Sequence, residues 1–440
     1  MKLAVIGTGH VGLITGVALA SLGHDVIGMD TSQEKVAMLA RGEAPFHEPD
    51  LPGLLAQGLE SGRLAFTGSI DEAVDGAHAV FICVGRPPVG QGDRSLAAVE
   101  DAAREIARAA ADGVVIIVKS TVPPGTTGRI AKVVRQERPS LSFAAVASPE
   151  FLREGHAIQD TLDPDRLVVG SDDRHGADVL SEIYAPLLDR GVMLFRTDQR
   201  TAELSKLAAN AFLATKVSFA NALARLAELT GADVGGVTAI MGADPRIGPA
   251  FLGAGMGYGG YCLPKDVATL EKVAERAGYD FGILRETSRI NDEAIEAVAR
   301  KVEEAVWNLE GKTIALLGLA FKHGTDDVRG APALALARRL LEEGARVTAF
   351  DPMAGEAAGA ELPEVLVAAD PYEAADGAHC VVLCTEWPQF LDLDPERLKG
   401  AMAQPSIVDG RNLLDEAAWV DAGFQVATVG RRSQEGPTTT

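Results

Sequence analysis

Three features of the sequence predict an α/β fold with two Rossmann-like domains, each built on a parallel sheet and joined by a long central helical connector. Short apolar runs alternate with helical patterns through the first part of the chain and again near its end. Between these regions runs a long helical pattern. A glycine turn, Gly7-Thr8-Gly9-His10-Val11-Gly12, follows the first apolar run directly, and a looser strand–glycine–helix–strand–aspartate pattern recurs in the last third.

The strand candidates of the first region are Leu3 to Ile6, Asp25 to Met29, Ala79 to Val84, Val114 to Val118 and Leu167 to Val169. The helical pattern from about Gln199 to Leu229 carries Leu204, Leu207, Ala208, Ala211, Phe212 and Thr215 at three- and four-residue spacing. Further helical segments reach about Asn308. Lys312 to Leu317, Arg346 to Phe350, Cys380 to Cys384 and Ser406 to Val408 form the second alternating set. This divides the chain into an N-terminal domain (1–198), a helical connector (199–308), a C-terminal domain (309–430) and a polar tail (431–440), read as disordered.

A chain of 440 residues exceeds one ordinary core, which agrees with this division. Its net charge of −21 argues against nucleic acid as a partner but leaves room for an anionic substrate held by a local Arg/Lys cluster. No apolar run approaches the ~18 residues of a membrane span, so no membrane partner is expected. The start, Met1-Lys2-Leu3-Ala4-Val5-Ile6-Gly7, reads as a strand and not as a secretion signal. Cys83, Cys262, Cys380 and Cys384 show neither metal-ligand spacing nor a disulfide framework, so no metal is expected and a reducing cytoplasm fits best.

The glycine turn sits between a strand and the helical pattern Val11 to Leu22, and Asp30 ends the next strand about twenty residues further on. In that context Gly7 allows the tight turn, Gly9 lets backbone approach a pyrophosphate, and Gly12 allows helix–strand contact. Asp30 can accept hydrogen bonds from both ribose hydroxyls and would repel a 2′-phosphate, which favours NAD over NADP. The later counterpart, Gly318-Leu319-Ala320-Phe321-Lys322, lacks the second and third glycines. Lys322 and Arg329 there are either exposed loop cations or part of a second nucleotide site that is not a second NAD site.

The stretch Gly257-Tyr258-Gly259-Gly260-Tyr261-Cys262-Leu263-Pro264-Lys265-Asp266 delivers a cysteine from a glycine-rich turn onto an expected helix start, with Pro264 suited to the first helical position. Cys262 is then either a buried structural thiol or a thiolate favoured by backbone N–H groups and the positive helix end. Asp266 follows one turn later. Lys206 and Asn210 share one helix face, either solvated or able to stabilise an oxyanion.

Taken together, these motifs resemble the UDP-glucose/GDP-mannose dehydrogenase family over nearly the whole chain. The matching segments are the glycine turn, Lys119 to Thr127 (KSTVPPGTT), Ser148 to Gly155 (SPEFLREG), Glu203 to Phe212 (ELSKLAANAF), the cysteine stretch, Gly318 to Arg329, and Val408 to Arg411. The resemblance implies oxidation of a sugar CH2OH to a carboxylate with two NAD and one water. UDP-glucose is the expected substrate, with GDP-mannose or another nucleotide sugar as the alternative.

An aldehyde cannot give up a second hydride directly; it first needs a tetrahedral adduct, and a thiolate is a suitable nucleophile. Hence the resemblance assigns Cys262 a thiohemiacetal and thioester role. It gives Lys206 and Asn210 the oxyanion, Asp266 a water or proton, Glu150 the general base of thioester hydrolysis and Thr121 the orientation of that water.

Cofactor contacts implied are Gly7, Gly9, His10, Val11, Gly12, Asp30, Lys35, Cys83, Gly85, Arg86, Thr121, Glu154, Lys265 and Arg329. Substrate contacts implied are Glu150, Phe151, Leu152, Arg153, Glu154, Lys206, Asn210, Arg246, Tyr258, Gly259, Cys262, Phe321, Lys322 and Arg411, with Arg246 reaching in from a neighbouring subunit. Two residues depart from the family pattern: Tyr261 replaces the usual serine before the cysteine, and Arg86 replaces a threonine near the cofactor. The connector's apolar pattern exceeds what one domain needs to cover, so a homodimer is expected. A two-electron hydroxyacid dehydrogenase would not need Cys262. A non-catalytic NAD- or nucleotide-sugar-binding regulator need not keep Cys262, Lys206, Asn210 and Glu150 together.

Overall fold

The computed structural model describes residues 1–85 and 95–431, so Arg86 and residues 432–440 lie outside the described residues. The chain forms two compact units, one of Met1–Ala209 with Lys272–Ala277, the other of Asn210–Glu271 with the residues from Gly278 onward.

The first unit holds strands β1 (Lys2–Ile6), β2 (Asp25–Met29), β3 (Leu64–Thr67), β4 (Ala79–Ile82), β5 (Val114–Val118), β6 (Phe143–Ala147), β7 (Arg166–Gly170) and β8 (Met193–Thr197). They form one sheet in the order β3-β2-β1-β4-β5-β6-β7-β8. Strands such as β5, Val-Val-Ile-Ile-Val, are buried along their whole length because helices cover both faces. The expectation of a purely parallel sheet needs one correction: β7 runs antiparallel to β6, joined by the single pair Ala147↔Gly170. β3, β6 and β8 carry weak signals, being short (Leu-Ala-Phe-Thr), alanine-rich (Phe-Ala-Ala-Val-Ala) or an exposed edge.

The second unit repeats the plan with β9 (Thr313–Leu317), β10 (Arg346–Phe350), β11 (Leu366–Val367), β12 (Cys380–Leu383), β13 (Ser406–Asp409) and β14 (Gln425–Thr428). Their order is β11-β10-β9-β12-β13-β14, and all pairs are parallel. In each sheet the strand order reverses beside the unit's first strand, between β1 and β4 and between β9 and β12. Ligands of open α/β sheets bind in the crevice beyond the strand ends at such a point. The long helix (Gln199–Thr230) joins the two Rossmann-like parts.

Candidate active site

The crevice at β1 and β4 is built by the glycine turn. Gly7 has φ +92°, and a Cβ on Gly12 would sit 1.8 Å from the Gly7 carbonyl oxygen, so neither position admits another residue without rebuilding the turn. Beside Gly9, by contrast, a Cβ would meet nothing within 4 Å. Gly9 caps the following helix (His10–Ser21) with no side chain, which leaves N–H groups of its first turn for an anion. A cavity of about 400 Å³ opens here, lined by Gly7, Gly9, Asp30, Lys35, Cys83 and Gly85 among others.

Asp30 Oδ2 accepts from the Thr8 N–H and hydroxyl at 3.0 Å each and from Lys35 Nζ at 2.8 Å. Burial pushes its carboxyl up, but Lys35, Ser32 and Thr8 outweigh burial and hold it below the ordinary value, so it is ionised where a ribose would lie. An open glycine floor, free helix N–H groups and a fixed carboxylate at the next strand end fit a dinucleotide. Cys83 lines the same cavity, but burial pushes its thiol up to about 12, which makes it packing and not a nucleophile. His10 stacks on Phe46 with ring centroids 4.5 Å apart.

A second cluster in the same unit centres on Glu150, just beyond β6. Its Oε1 lies 3.2 Å from Lys206 Nζ, and its Oε2 accepts from the Leu152 N–H at 2.8 Å. Phe151 is flanked by two cations, with Lys206 Nζ 5.3 Å and the Arg166 guanidinium 3.9 Å from its ring centre. Burial pushes Glu150 up, but Lys206, the Leu152 N–H and Lys119 outweigh it and leave the carboxyl below its usual range. Sequence reasoning placed Lys119 only within a motif; the structure makes it a buried cation acting on Glu150 and Cys83. Glu203 accepts from the Gly125 and Thr127 N–H groups, fixing the segment that carries Thr121 to the long helix. Arg153, expected on the substrate, is held by Asp160 in a two-pronged ion pair.

The cysteine helix (Cys262–Arg276), whose N-terminal part lies in the second unit, begins at Cys262 itself, so Pro264 falls inside the first turn and not at its first position. Its missing N–H remains harmless there. Gly257 (φ +90°) and Gly260 (φ +79°) provide the turn. The loop is fixed by Asn291, which accepts from the Tyr258 N–H at 2.7 Å and donates to the Tyr258 carbonyl at 3.1 Å. No motif had pointed to Asn291. On Gly259 a Cβ would lie 2.3 Å from the Gly330 carbonyl oxygen, and on Gly260 it would lie 2.9 Å from the Phe321 ring, so both glycines serve close packing.

Cys262 is exposed, whereas Cys83, Cys380 and Cys384 are buried. Burial pushes Cys380 and Cys384 to about 12. Asp266 is wholly buried and accepts from Asn210 Nδ2 at 2.6 Å and from Lys265 Nζ at 2.5 Å. It therefore orients the Asn210 amide and neutralises a buried lysine. Lys206 and Asn210 stand one turn apart on the long helix, as their spacing required.

Around β9 and β12 the backbone N–H groups of Leu319 and Ala320 are taken by Asp351 at 2.6 and 3.0 Å. This loop thus satisfies its donors internally. Arg329 is bound to Asp327 and lies 4.7 Å over the Tyr261 ring, with Lys265 Nζ 5.5 Å from the same ring. Arg411 donates to the Cys384 and Gly257 carbonyls and pairs with Glu386, tying β13 to the cysteine loop. One of its guanidinium nitrogens is buried with no hydrogen-bond partner among the described residues. Arg246 is exposed and held by Asp244.

A Rossmann crevice with a fixed acidic residue in the first unit fits a dinucleotide-dependent enzyme, and the second unit carries an exposed thiol at a helix start. The sequence comparisons specify it further: the chain belongs to the UDP-glucose/GDP-mannose dehydrogenase family. Residues 1–188 match that family's NAD binding domain, 200–293 its central domain and 315–416 its UDP binding domain. The chain is 42% identical to UDP-glucose 6-dehydrogenase of Pseudomonas aeruginosa, covering 98% of each. It is 43% identical to the Rhizobium meliloti UDP-glucose 6-dehydrogenase over 98% of this chain and 100% of the relative. A solved UDP-glucose dehydrogenase from Pyrobaculum islandicum superposes with a TM-score of 0.91 at 38% identity, covering 98% and 97% of the two chains.

Proposed function

We propose that this chain oxidises the C6 hydroxymethyl group of UDP-glucose to the carboxylate, consuming two NAD and one water without releasing the aldehyde. The carrying observation is the division of its cysteines: the thiol at the helix start is exposed and the other three are buried. NAD, when bound on the glycine turn, accepts the hydride of each oxidation. The chain's own groups do the rest. The alcohol gives up its proton to solvent as the first hydride leaves, and Lys206 and Asn210 stabilise the developing alkoxide and the oxyanion of each tetrahedral adduct. Asp266 keeps the Asn210 amide in place. The Cys262 sulfur adds to the aldehyde carbon, forming a C–S bond and a thiohemiacetal oxyanion. Loss of the second hydride leaves a thioester.

Water attacks the thioester carbon, the C–S bond breaks, and the thiolate is regenerated with the free carboxylate. Glu150, ionised beside Lys206, takes one proton of that water while Thr121 orients it, and the product acid gives up the other to solvent. Arg329, Lys322 and Arg411 meet the phosphates and the sugar, with Phe151 to Glu154 along the sugar. The long helix leaves Phe212, Phe219 and Leu226, each two turns apart, exposed together with Leu204 and Leu229. We assign this stripe to a homodimer interface, with Arg246 serving the neighbouring subunit. A free catalytic thiol with no disulfide among the described residues favours a reducing compartment, which supports a cytoplasmic enzyme. No helix among the described residues is long and apolar enough to cross a membrane.

The test is a substrate panel at excess NAD. NADH formation with UDP-glucose, and far less with GDP-mannose or UDP-N-acetylmannosamine, supports the reading. Preference for another nucleotide sugar overturns the substrate, and no NADH with any of them overturns the reaction.

A further inference from the structure

The segment between the helices Gln33–Ala40 and Leu51–Glu60 carries two side chains that reach the glycine turn, one of which also reaches a second loop. Phe46 stacks on His10, in the glycine turn. Glu48, whose side chain is fully buried, touches both the glycine turn and the SPEFLREG loop. Its Oε1 accepts from the Ala157 N–H at 2.7 Å and its Oε2 from the Gly155 N–H at 2.9 Å. The same Oε2 lies 3.4 Å from His10 Nε2. A carboxylate this deep is held only by such contacts, because desolvation opposes it. Burial pushes it up, and His10 with the two N–H groups outweighs burial and holds it below its ordinary value.

We propose that Glu48 is a positioning residue that couples the dinucleotide turn to the substrate loop, so that NAD and sugar nucleotide raise each other's affinity. The physical basis is one rigid carboxylate shared by two loops. Gly155 directly follows Glu154 at the end of the loop from Phe151, and His10 opens the helix that faces the pyrophosphate. Ordering His10 by bound dinucleotide fixes Glu48, and fixed Glu48 holds the Gly155 and Ala157 N–H groups. The converse coupling is of equal size by thermodynamic necessity. Glu48→Gln keeps the volume but removes the charge, and its amide turns an NH2 group toward one of the two backbone donors. Phe46→Leu removes the stack on His10 and leaves the carboxylate untouched.

This inference rests on the cofactor and substrate reading given above. The experiment is calorimetric binding of NADH and of UDP-glucose to the full chain, each alone and each at saturation of the other, with thermal midpoints recorded. NADH with UDP-glucose forms no product, so affinities are read without turnover. Expected is mutual tightening in the wild type. In Glu48→Gln, NADH affinity measured with UDP-glucose present should fall roughly tenfold, because one of the Gly155 and Ala157 N–H groups loses its charged acceptor, and the mutual tightening should disappear. Phe46→Leu should reduce the tightening in part, and it decides the matter if Glu48→Gln does not fold. No tightening in the wild type, or full tightening in a folded Glu48→Gln, overturns the coupling. A wild type that binds NADH but not UDP-glucose contradicts the substrate assignment instead, and the NADH arm still tests the contact to His10.

Discussion

Lys206→Met removes the ammonium 3.2 Å from Glu150 Oε1 and keeps most of the side chain's length. The two side chains are only 5% and 8% exposed, so water cannot replace the lost partner. The remaining carboxylate keeps the Leu152 N–H at 2.8 Å and the field of Lys119. Removing one partner of a buried pair costs about 3–5 kcal/mol, whereas replacing both is often close to neutral. Lys206→Met should therefore lose about 3–5 kcal/mol, and Lys206→Met/Glu150→Gln should return to within about 1 kcal/mol of wild type.

The pH dependence has a defined sign. In the wild type Glu150 lies below its usual value, so its contribution is complete above the ordinary carboxylate range and is lost as pH falls through the folded value. Without Lys206, burial dominates and the folded value rises above the ordinary one. The penalty is then full at neutral pH and shrinks as pH falls through the raised value toward the ordinary range.

Trp307, Trp387 and Trp419 all lie in the second unit, so fluorescence would miss the effect. Hydrogen exchange at the amides around Glu150 and Lys206 reports it directly. A cost under about 1 kcal/mol that is flat with pH, or a double variant that simply adds the two single losses, would refute the buried-pair account.

Further outcomes follow from the same geometry. In the native protein a thiol reagent should modify Cys262 rapidly and Cys83, Cys380 and Cys384 only after unfolding. A fast-reacting thiol persisting in Cys262→Ala would contradict this. Tyr261→Ser removes the ring beside Arg329 and Lys265, a contact worth about 0.5–2 kcal/mol. It should raise KM for NAD or sugar nucleotide by roughly 2- to 30-fold with little change in melting temperature, and Tyr261→Phe should restore it. Serine and phenylalanine behaving alike would remove any role for the ring. Gly12→Ala must move the Gly7 carbonyl, 1.8 Å from the new Cβ, and NADH titration should show binding lost while the second unit keeps its fluorescence transition.

Much of this site was legible in the sequence because its determinants are local. The glycine turn and the one-turn spacing of Lys206 and Asn210 encode geometry within a few residues, and Asp30 lies within the same strand–helix–strand unit as the turn. What the sequence hid depends on partners far along the chain. Glu48 reads as an ordinary loop acid until Gly155 and Ala157 are seen against it. Asn291 and Asp351 likewise look unremarkable before their loops are in place. The antiparallel β7 was invisible because strand direction is set by the path of the connection and not by strand composition. Glu150 was read as a base and Asp266 as holding a water or moving a proton, and the structure adds that each is also the counter-ion of a buried lysine.

The most direct test is the amount of NADH formed per sugar when UDP-glucose is limiting and NAD is in excess. Two NADH per sugar from the wild type, with the C6 carboxylate as product, and no thioester or acid from Cys262→Ala, is the predicted result. One NADH per sugar with free aldehyde, or an undiminished yield of acid from Cys262→Ala, would contradict covalent catalysis at Cys262.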